Sequence, residues 1–356
     1  MGLTSLERVI KAVRFEEPDT IPVGPMIGNH SAILSGIPLK KYYTEAASTA
    51  KAQYVAWETY HQDIALALSD NYYIAQGFGC VAEYHDDTTP TIRKTALSDI
   101  RDVGRLRIPD PRRDGRMPVY LEALERLNAM LKGQVCVRGT GTGPFSLAGH
   151  LLGINNFLVC LAEAEYLEKQ DRQEWITELM EKTSDALIDF CKAQFEAGAN
   201  IVQCGDSLAS NDVISPRMYQ KYAFPYEKKV FEALSPWKKE RGRFTLLHIC
   251  GNNTKVLDLI AQTGADIFEV DYKMELAFCR EKTNGKMCLM GNLDPVGVLL
   301  AGTPEIVAIE SENCLRKAGG GGGFILGSGC EVPPMTPPEN LKAMVLSARR
   351  FLSGKK

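Results

Sequence analysis

The segment FTLLHICGNNTKVLDLIAQTGADIFEVD (residues 244–271) gives the clearest indication of the fold class. It begins with a short apolar run, FTLLHIC (244–250), continues through a helical pattern near 254–262, and ends in a second apolar run, ADIFEVD (265–271). Apolar runs of this length that alternate with helical patterns are typical of buried strands in a parallel sheet. The stretch therefore predicts a strand–helix–strand unit.

Units of this kind recur along most of the chain. Five of them cover residues 200–352, and three further strand candidates lie upstream. The predicted strands are 20–24, 64–68, 135–139, 200–206, 244–250, 265–271, 287–292 and 323–329, and the predicted helices lie near 4–14, 46–60, 117–132, 171–198, 215–234, 254–262, 274–284, 303–317 and 337–352. Eight strands fit a single α/β domain over residues 1–356, a TIM (β/α)8 barrel with extra N-terminal helices. An open doubly wound sheet is the alternative.

The composition is that of an ordinary globular protein and excludes several classes. Of the 356 residues, 45% are hydrophobic and 24% are charged, which excludes disordered, collagen-like and disulfide-scaffold proteins. The chain has 41 basic and 44 acidic residues and a net charge of −3. It lacks the basic excess that is typical of nucleic-acid binders, so no nucleic-acid partner is expected.

The hydropathy pattern predicts a cytoplasmic protein with no membrane segment. The sequence contains no run of about 18 apolar residues, the length that a membrane-spanning helix needs. The first residues, MGLTSLERVIKAVRF (1–15), carry several charges and lack the apolar centre of a signal peptide, so they predict an amphipathic helix. In the cytoplasm the ten cysteines are expected to be reduced.

Polar or reactive side chains follow the predicted strands where each strand ends. They are Asp206, His248, Cys250, Asp271, Asn292 and Cys330. In a barrel, the carboxyl ends of the strands form the face that carries the chemistry. The alternative is that they are ordinary turn residues, but their number favours a functional site.

The tripeptide His248-Ile249-Cys250 is the sharpest local signal. Residues two apart in a strand point to the same face, so both side chains can reach one ion. Cys330, at the end of another predicted strand, supplies a third candidate ligand, and zinc prefers thiolate and imidazole ligands. The alternative is a buried cysteine beside a hydrogen-bonded histidine. Three protein ligands would leave one position open, as in catalytic zinc sites.

At these residues the chain resembles the uroporphyrinogen decarboxylase superfamily and, within it, the zinc methyltransferases of the methylcobamide:coenzyme M type. The resemblance runs nearly end to end. Its motifs are LERVIKAVRFEEPDTIPVGP (6–25), ISPRMYQKYAFPYEKKVF (214–231), LLHICGNNTKVLDLIAQTGADIFEVD (246–271) and GGFILGSGCEVPPMTPPENLKAMV (322–345). The resemblance implies a TIM barrel and a methyl donor held as methylcobamide on a corrinoid protein.

Two departures separate the branches of this superfamily. Decarboxylases carry an arginine-bearing loop of the form MRQAGR after the first strand, whereas this chain has GPMIGNHSAILSG (24–36) with no arginine. Decarboxylases also keep a histidine in a closing motif of the form NLGHG, and Cys330 stands in its place here. The resemblance to the methyltransferase branch implies that His248, Cys250 and Cys330 bind zinc.

The predicted function is transfer of a methyl group from methylcobamide to a thiol or related acceptor. Asp271 is the candidate for a resting fourth zinc ligand, with water as the alternative, and Glu269 is expected on the opposite face of its strand. Asp206 and Asp212 are candidates for orienting the substrate or the histidine ring, with helix capping as the alternative. Three competing functions stay open: loading of a corrinoid protein from a small methyl donor, uroporphyrinogen decarboxylation, and corrinoid binding without turnover.

Overall fold

The protein, described here by a computed structural model over residues 2–67, 70–239, 242–283, 285–319 and 322–353, is built on a parallel sheet. The strands are β1 (Ile64–Ala67), β2 (Val81–Glu83), β3 (Thr91–Lys94), β4 (Cys136–Gly139), β5 (Ile201–Gly205), β6 (Phe244–His248), β7 (Ile267–Glu269), β8 (Cys288–Leu293) and β9 (Phe324–Ser328). Seven of them form one sheet in the order β1-β4-β5-β6-β7-β8-β9, and β2 and β3 form a separate antiparallel pair.

The main sheet follows chain order, which distinguishes it from the doubly wound alternative. All its strand pairs are parallel, and no reversal of strand order occurs, whereas a doubly wound sheet requires one. Every residue of β1, β4, β6 and β9 is buried, because helices cover the outside of the sheet and side chains fill the inside. The predicted α/β class with a parallel sheet is confirmed.

The predicted strand over 20–24 is wrong, so an eight-stranded barrel is not confirmed. In this segment only Val23 forms a bridge, with Leu326 of β9. The neighbouring Pro22 and Pro25 have no N–H group to donate, so a hydrogen-bonded ladder cannot extend in either direction. The segment still contacts both edges of the sheet: Gly24 N donates to Leu326 O at 2.8 Å, and Asp63 N donates to Val23 O at 2.7 Å.

The helices pack around the sheet and largely follow the prediction. They are α1 (Ser5–Val13), α2 (Asn29–Leu34), α3 (Leu39–Thr44), α4 (Ala46–Tyr60), α5 (Tyr73–Gly77), α6 (Met117–Leu131), α7 (Pro144–Leu152), α8 (Ile154–Tyr166), α9 (Gln170–Glu196), α10 (Pro216–Tyr222), α11 (Phe224–Leu234), α12 (Leu257–Ile260), α13 (Leu276–Thr283), α14 (Pro304–Ala318) and α15 (Pro338–Ser353). The helix predicted near 215–234 is divided into α10 and α11, because Pro225 cannot donate within a continuous helix.

Helix α1 closes the end of the sheet at which the strands begin. Thr4 and Glu7 form a capping box that fixes its start. Its apolar face packs on strand residues that point inside the sheet. This inner cluster joins Val9, Ile10, Ala12 and Val13 to Ile64, Cys136, Ile201, Phe244, Leu246, Ile267, Cys288, Met290 and Ile325. The opposite end, where the strands finish, is left for the site.

Two further predictions concern the membrane and the cysteines. Within the described residues, no single helix is long and apolar enough to cross a membrane; α7 and α8 would pass that test only together, and they are bent by 111° relative to each other. All ten cysteines are free thiols in the structure, and their reduced state in the cell stays a prediction. The predicted cytoplasmic location stays a prediction.

Candidate metal centre

Three of the predicted site residues converge where the strands end. His248 is the last residue of β6, Cys250 lies in the following turn, and Cys330 lies two residues beyond β9. His248 Nε2 is 3.2 Å from Cys250 Sγ, which is 3.8 Å from Cys330 Sγ. One donor atom from each of the three lies within 4.8 Å of the others, so one ion could contact all three. In the part of the chain that the structure describes, this is the only such group of three or more His, Cys, Asp and Glu side chains.

A glycine beside each cysteine makes this convergence possible. Gly251 has a φ of 83°, and a Cβ atom there would lie 2.5 Å from Asp212 Oδ2. A Cβ atom at Gly329 would lie 2.3 Å from the backbone nitrogen of Tyr272. Both turns therefore need a residue without a side chain, because the backbone approaches its neighbours too closely for any other.

A buried ion pair stands behind the histidine, and the sequence interpretation missed it. Glu269 Oε2 lies 3.2 Å from His248 Nδ1, so the prediction that Glu269 faces away from the site is wrong. Both carboxylate oxygens of Glu269 accept hydrogen bonds from Arg138, at 2.7 Å each, and Arg138 also donates to Gln203. Glu269 lies opposite His248 in the register of β6 and β7. The sequence feature that could have indicated a buried ion pair is the arginine in the apolar strand VCVRG (135–139). Because Glu269 contacts Nδ1, Nε2 points toward Cys250.

The electrostatics of the three side chains favour a thiolate. A hydrogen bond from the Cys330 thiol and the nearby His248 ring lower the pKa of Cys250 to about 3. The same hydrogen bond and burial raise the pKa of Cys330. Burial lowers the pKa of His248, but the charges of Cys250 and Glu269 outweigh it and raise that pKa to about 9. These shifts favour a thiolate at Cys250 next to a protonated His248 ring, and thiolate is the form that binds metals.

Asp206, predicted as a catalytic residue, contacts the start of α7, and its catalytic role stays a prediction. It is fully buried, and its carboxylate accepts hydrogen bonds from the backbone N–H groups of Phe145 at 3.1 Å and Ser146 at 2.6 Å. These groups belong to the first turn of α7, whose N-terminal donors would otherwise be unpaired. Burial raises the pKa of Asp206 to about 6 despite these hydrogen bonds. Its backbone N–H also donates to His248 O at 2.8 Å, so it supports the site through the backbone.

Asp271, the other predicted catalytic residue, holds the turn that carries Cys250. Its two oxygens accept hydrogen bonds from the backbone N–H groups of Gly251 at 2.8 Å and Lys273 at 2.9 Å. It is not in the group of converging ligand atoms among the described residues, and its role at a resting fourth position stays a prediction. Asp212 forms an ion pair with Lys273 at 2.8 Å, nearer the surface.

A cavity of about 270 Å³ opens beside the three converging side chains. His248, Cys250, Cys330 and Ser207 line it, and Ser207 Oγ is 3.1 Å from Cys250 Sγ. The other polar side chains that line it are Asn29, Tyr43, Asp70, Asn71, Tyr72, Thr89, Gln203 and Glu331. A small molecule in this cavity would lie against the cysteine sulfur atoms.

The chain is similar to known proteins with two different activities, methyl transfer and decarboxylation. The family model described as uroporphyrinogen decarboxylase (URO-D) matches residues 4–351. A methylcobamide:CoM methyltransferase of Methanosarcina acetivorans is 30% identical over 354 residues, 98% of each chain. A uroporphyrinogen decarboxylase of Carboxydothermus hydrogenoformans is 30% identical over 286 residues, 80% of this chain and 77% of that one. The solved structure of a methyltransferase from Methanosarcina mazei has the same fold, with a TM-score of 0.87 at 24% identity over 98% of this chain and 99% of that chain.

Proposed function

The chain belongs to the uroporphyrinogen decarboxylase family, and we propose that it is a zinc-dependent corrinoid methyltransferase. It moves a methyl group from a methylcobamide, carried by a corrinoid protein, to a thiol acceptor. The observation that carries this proposal is the convergence of His248, Cys250 and Cys330 beside a cavity. The similarity to a methylcobamide:CoM methyltransferase over 98% of both chains supports it.

The donor set suits zinc and leaves room for a substrate. Two sulfur atoms and one imidazole nitrogen are ligands that zinc prefers, and a fourth position would stay open. Bound zinc would lower the pKa of an acceptor thiol and hold it as a thiolate at neutral pH. Glu269, which Arg138 holds in place, lies 3.2 Å from His248 Nδ1 and would accept its N–H when the neutral imidazole binds zinc.

The remaining residues position the acceptor and the turn that faces it. Asp271 fixes the backbone after Cys250, and Ser207 contacts the Cys250 sulfur from the cavity side. In the transfer, the acceptor sulfur forms a bond to the methyl carbon as the cobalt–carbon bond breaks. The bonding pair remains on cobalt, which passes from Co(III) to Co(I), and the thiol proton goes to solvent. The protein contributes alignment and a reactive sulfur, and the corrin contributes the leaving group.

The same residues disfavour decarboxylation. Asn29, rather than an arginine, reaches the cavity from the segment 24–36, and Cys330 reaches it from the end of β9. A porphyrinogen with several carboxylate arms would need cations in this cavity. Transfer in the opposite direction, from a small methyl donor to a corrinoid, uses the same site and is the second candidate.

The test is a methyl-transfer assay with methylcobalamin and a thiol, with zinc quantified in the same preparation. We expect about one zinc per chain and methylation of the thiol, which stops when a chelator removes the metal and resumes when zinc is returned. Full activity in metal-free protein would overturn the proposal. Steady release of carbon dioxide from uroporphyrinogen would favour the decarboxylase branch instead.

We also infer that residues 22–24 complete the barrel in place of an eighth strand. The inference is supported by their hydrogen bonds to Leu326 of β9 on one side and to Asp63, just before β1, on the other. The two prolines limit this pairing to a few backbone groups, so the position is filled by an irregular segment.

A further inference from the structure

The cavity beside the candidate metal ligands presents two carboxyl groups, and His248, itself a candidate ligand, is the one basic side chain among the described residues that line it. Asp70 and Glu331 line it, and none of the described residues that line it is a lysine or an arginine. The two residues that precede Asp70 in the sequence, at positions 68 and 69, are leucine and serine and carry no charge. When His248 binds a metal as a neutral imidazole, an anionic group on a substrate would therefore enter the cavity without a positively charged side chain to pair with it.

Arg116, which contacts the cavity-lining residues Asp70 and Tyr43, does not line the cavity itself and already has partners. Arg116 is 8% exposed, and it donates to Asp70 Oδ1 and Oδ2 at 2.7 and 2.6 Å. It also donates to Tyr43 O at 2.7 Å and to Gln76 Oε1 at 2.6 Å, and it lies over the ring of Tyr84. The Asp70–Arg116 pair therefore presents its negative end to the cavity and keeps its positive end behind the wall.

Hydrogen bonds run from Tyr43, beside this pair, to Glu331, the neighbour of the candidate ligand Cys330 in the chain. Asn29 N donates to Glu331 Oε1 at 3.0 Å, and Tyr43 OH donates to Asn29 Oδ1 at 2.8 Å. Glu331 directly follows Cys330 in the chain. Burial raises the pKa of Tyr43, and the nearby carboxyl groups of Glu331 and Asp70 raise it further.

Two aromatic rings add to the attraction for a cation. Tyr43 and Tyr72 both line the cavity, and the ring of Tyr72 is held edge-on to His150 at a centroid distance of 5.0 Å. Aromatic faces attract ammonium groups through the ring quadrupole, most strongly where water is excluded. Carboxylate oxygens and aromatic faces together form the chemistry that recognises ammonium groups, whereas anionic groups are bound most strongly by charged donors such as arginine and lysine.

We propose that the methyl acceptor is an aminothiol, a thiol that carries a positively charged amino group, and that Asp70 with Tyr43 and Tyr72 selects it. This inference rests on the proposed methyl transfer, and it names the acceptor class. Asp70 is a specificity-determining residue, because like-charge contacts exclude a sulfonate or carboxylate at the same position.

The test compares three thiols that differ only in the group at the far end of a two-carbon chain. They are 2-aminoethanethiol (cationic), 2-mercaptoethanol (neutral) and 2-mercaptoethanesulfonate (anionic). Binding to the zinc-loaded full chain is measured by calorimetry, and transfer is measured with methylcobalamin. We expect the cationic thiol to bind on the order of tenfold more tightly than the anionic one at low ionic strength, with a smaller ratio at high salt. Equal or tighter binding of the sulfonate would overturn the inference.

Two variants separate the effect of Asp70 from the intrinsic acidity of each thiol. Asp70→Asn removes the negative end of the ion pair and should shift the ratio of cationic to anionic binding toward the sulfonate by about tenfold. Thiol acidity cancels in this comparison, because the same thiols are used. Asp258→Asn is the matched control, since Asp258 is exposed on α12 and does not line the cavity. An unchanged ratio in Asp70→Asn would also overturn the inference.

The outcomes separate this inference from the proposed function. If zinc-loaded protein methylates no thiol, the proposed function fails. The binding affinities of the three thiols, measured by calorimetry, still show whether the cavity prefers a cationic or an anionic thiol. If the sulfonate is the preferred methyl acceptor, the proposed function stands and the inference fails. If Asp70→Asn does not fold, the comparison of the three thiols on the unmodified chain decides alone.

Discussion

Cys250 is the residue on which the candidate metal centre depends most. His248 Nε2, Ser207 Oγ and Cys330 Sγ all lie close to its sulfur atom, at 3.2, 3.1 and 3.8 Å. A sulfur atom with a lowered pKa and three polar neighbours is suited to a cation rather than to a role in the core. By contrast Cys279 is fully buried in α13, and burial raises its pKa to about 12.

Replacing either cysteine ligand should remove most of the zinc. In Cys250→Ala and Cys330→Ala one sulfur ligand is lost from a site with three protein ligands, and such a site cannot spare one. Zinc per chain is measured by atomic emission after dialysis, and we expect it to fall well below the value for the unmodified protein. Cys279→Ala serves as the control and should keep its zinc. Full zinc occupancy in either ligand variant would show that the ligand assignment is wrong.

Glu269 should tune the metal site without binding the metal. Glu269→Gln removes the charge beside His248 Nδ1 and should weaken zinc binding by about 10- to 100-fold, measured by competition with a chelator. Glu227→Gln is the control, because Glu227 is also a fully buried glutamate but contacts Tyr219 instead of the histidine. Equal zinc affinity in both variants would mean that Glu269 serves Arg138 alone.

The sequence predicts residues in this site only where local spacing or a recognisable motif carries the information. His248, Cys250 and Cys330 satisfy that condition, since two are neighbours in one strand pattern and the third stands in a recognisable closing motif. The partnership of Glu269 with Arg138 joins residues 131 positions apart, and its geometry depends on the sheet register. The cavity residues Asn29, Asp70 and Glu331 likewise come together only through the fold.

Among the secondary-structure elements, Asp63 connects α1 and α15 to the segment 20–24, where an eighth strand was predicted. Its carboxylate is fully buried and forms ion pairs with Arg8 of α1 at 2.6 Å and Arg349 of α15 at 2.9 Å. It also accepts a hydrogen bond from Val23 N at 2.8 Å. Long-range charge pairs therefore hold this irregular position. The sequence could not predict them, because hydrophobic periodicity carries no information about such contacts.

Breaking this junction should destabilise the protein strongly. Asp63→Asn removes a buried charge that two arginines contact, and losing one partner of a buried pair typically costs about 3–5 kcal/mol. We expect a lower urea midpoint of unfolding. Asp19→Asn is the control, because Asp19 pairs with the same Arg8 but is 38% exposed, where an ion pair contributes about 1 kcal/mol or less. Equal effects of the two substitutions would show that the junction does not depend on Asp63.

At the scale of the whole molecule, the strand order and the position of α1 determine where function can lie. Because α1 fills the end at which the strands begin, a substrate can reach the sheet interior only from the other end, where the site lies. The apolar strand runs predicted this sheet, since each run is continuous and bounded by turns. These runs could not predict which buried polar groups destabilise the folded protein, because the burial of such groups depends on how distant helices pack.

Glu227 is such a group, and it should make the stability of the whole protein depend on pH. Its carboxyl is fully buried in α11; one oxygen accepts a hydrogen bond from Tyr219 OH at 2.6 Å, and the other has no hydrogen-bond partner among the residues that the structure describes. Burial and the nearby charge of Asp206 raise the pKa of Glu227 well above its usual value of 4.5. The folded protein therefore holds this proton more tightly than the unfolded chain does. The contribution of Glu227 to the stability of the folded protein is therefore fully present below pH 4.5. It is lost as the pH rises from 4.5 through the pKa of Glu227 in the folded protein.

Glu227→Gln removes that proton equilibrium, so the variant should gain stability relative to the unmodified protein as pH rises. Each pH unit between 4.5 and the folded pKa is worth about 1.4 kcal/mol in this difference. Urea unfolding at pH 5 and pH 8 measures it, and we expect the variant to gain more at pH 8 than at pH 5. Glu232→Gln is the control, because Glu232 lies on the same helix with a 65% exposed side chain and should give the same difference at both pH values. A difference for Glu227→Gln that does not change with pH would mean that this carboxyl is ionised in the folded protein at a normal pKa, which its burial argues against.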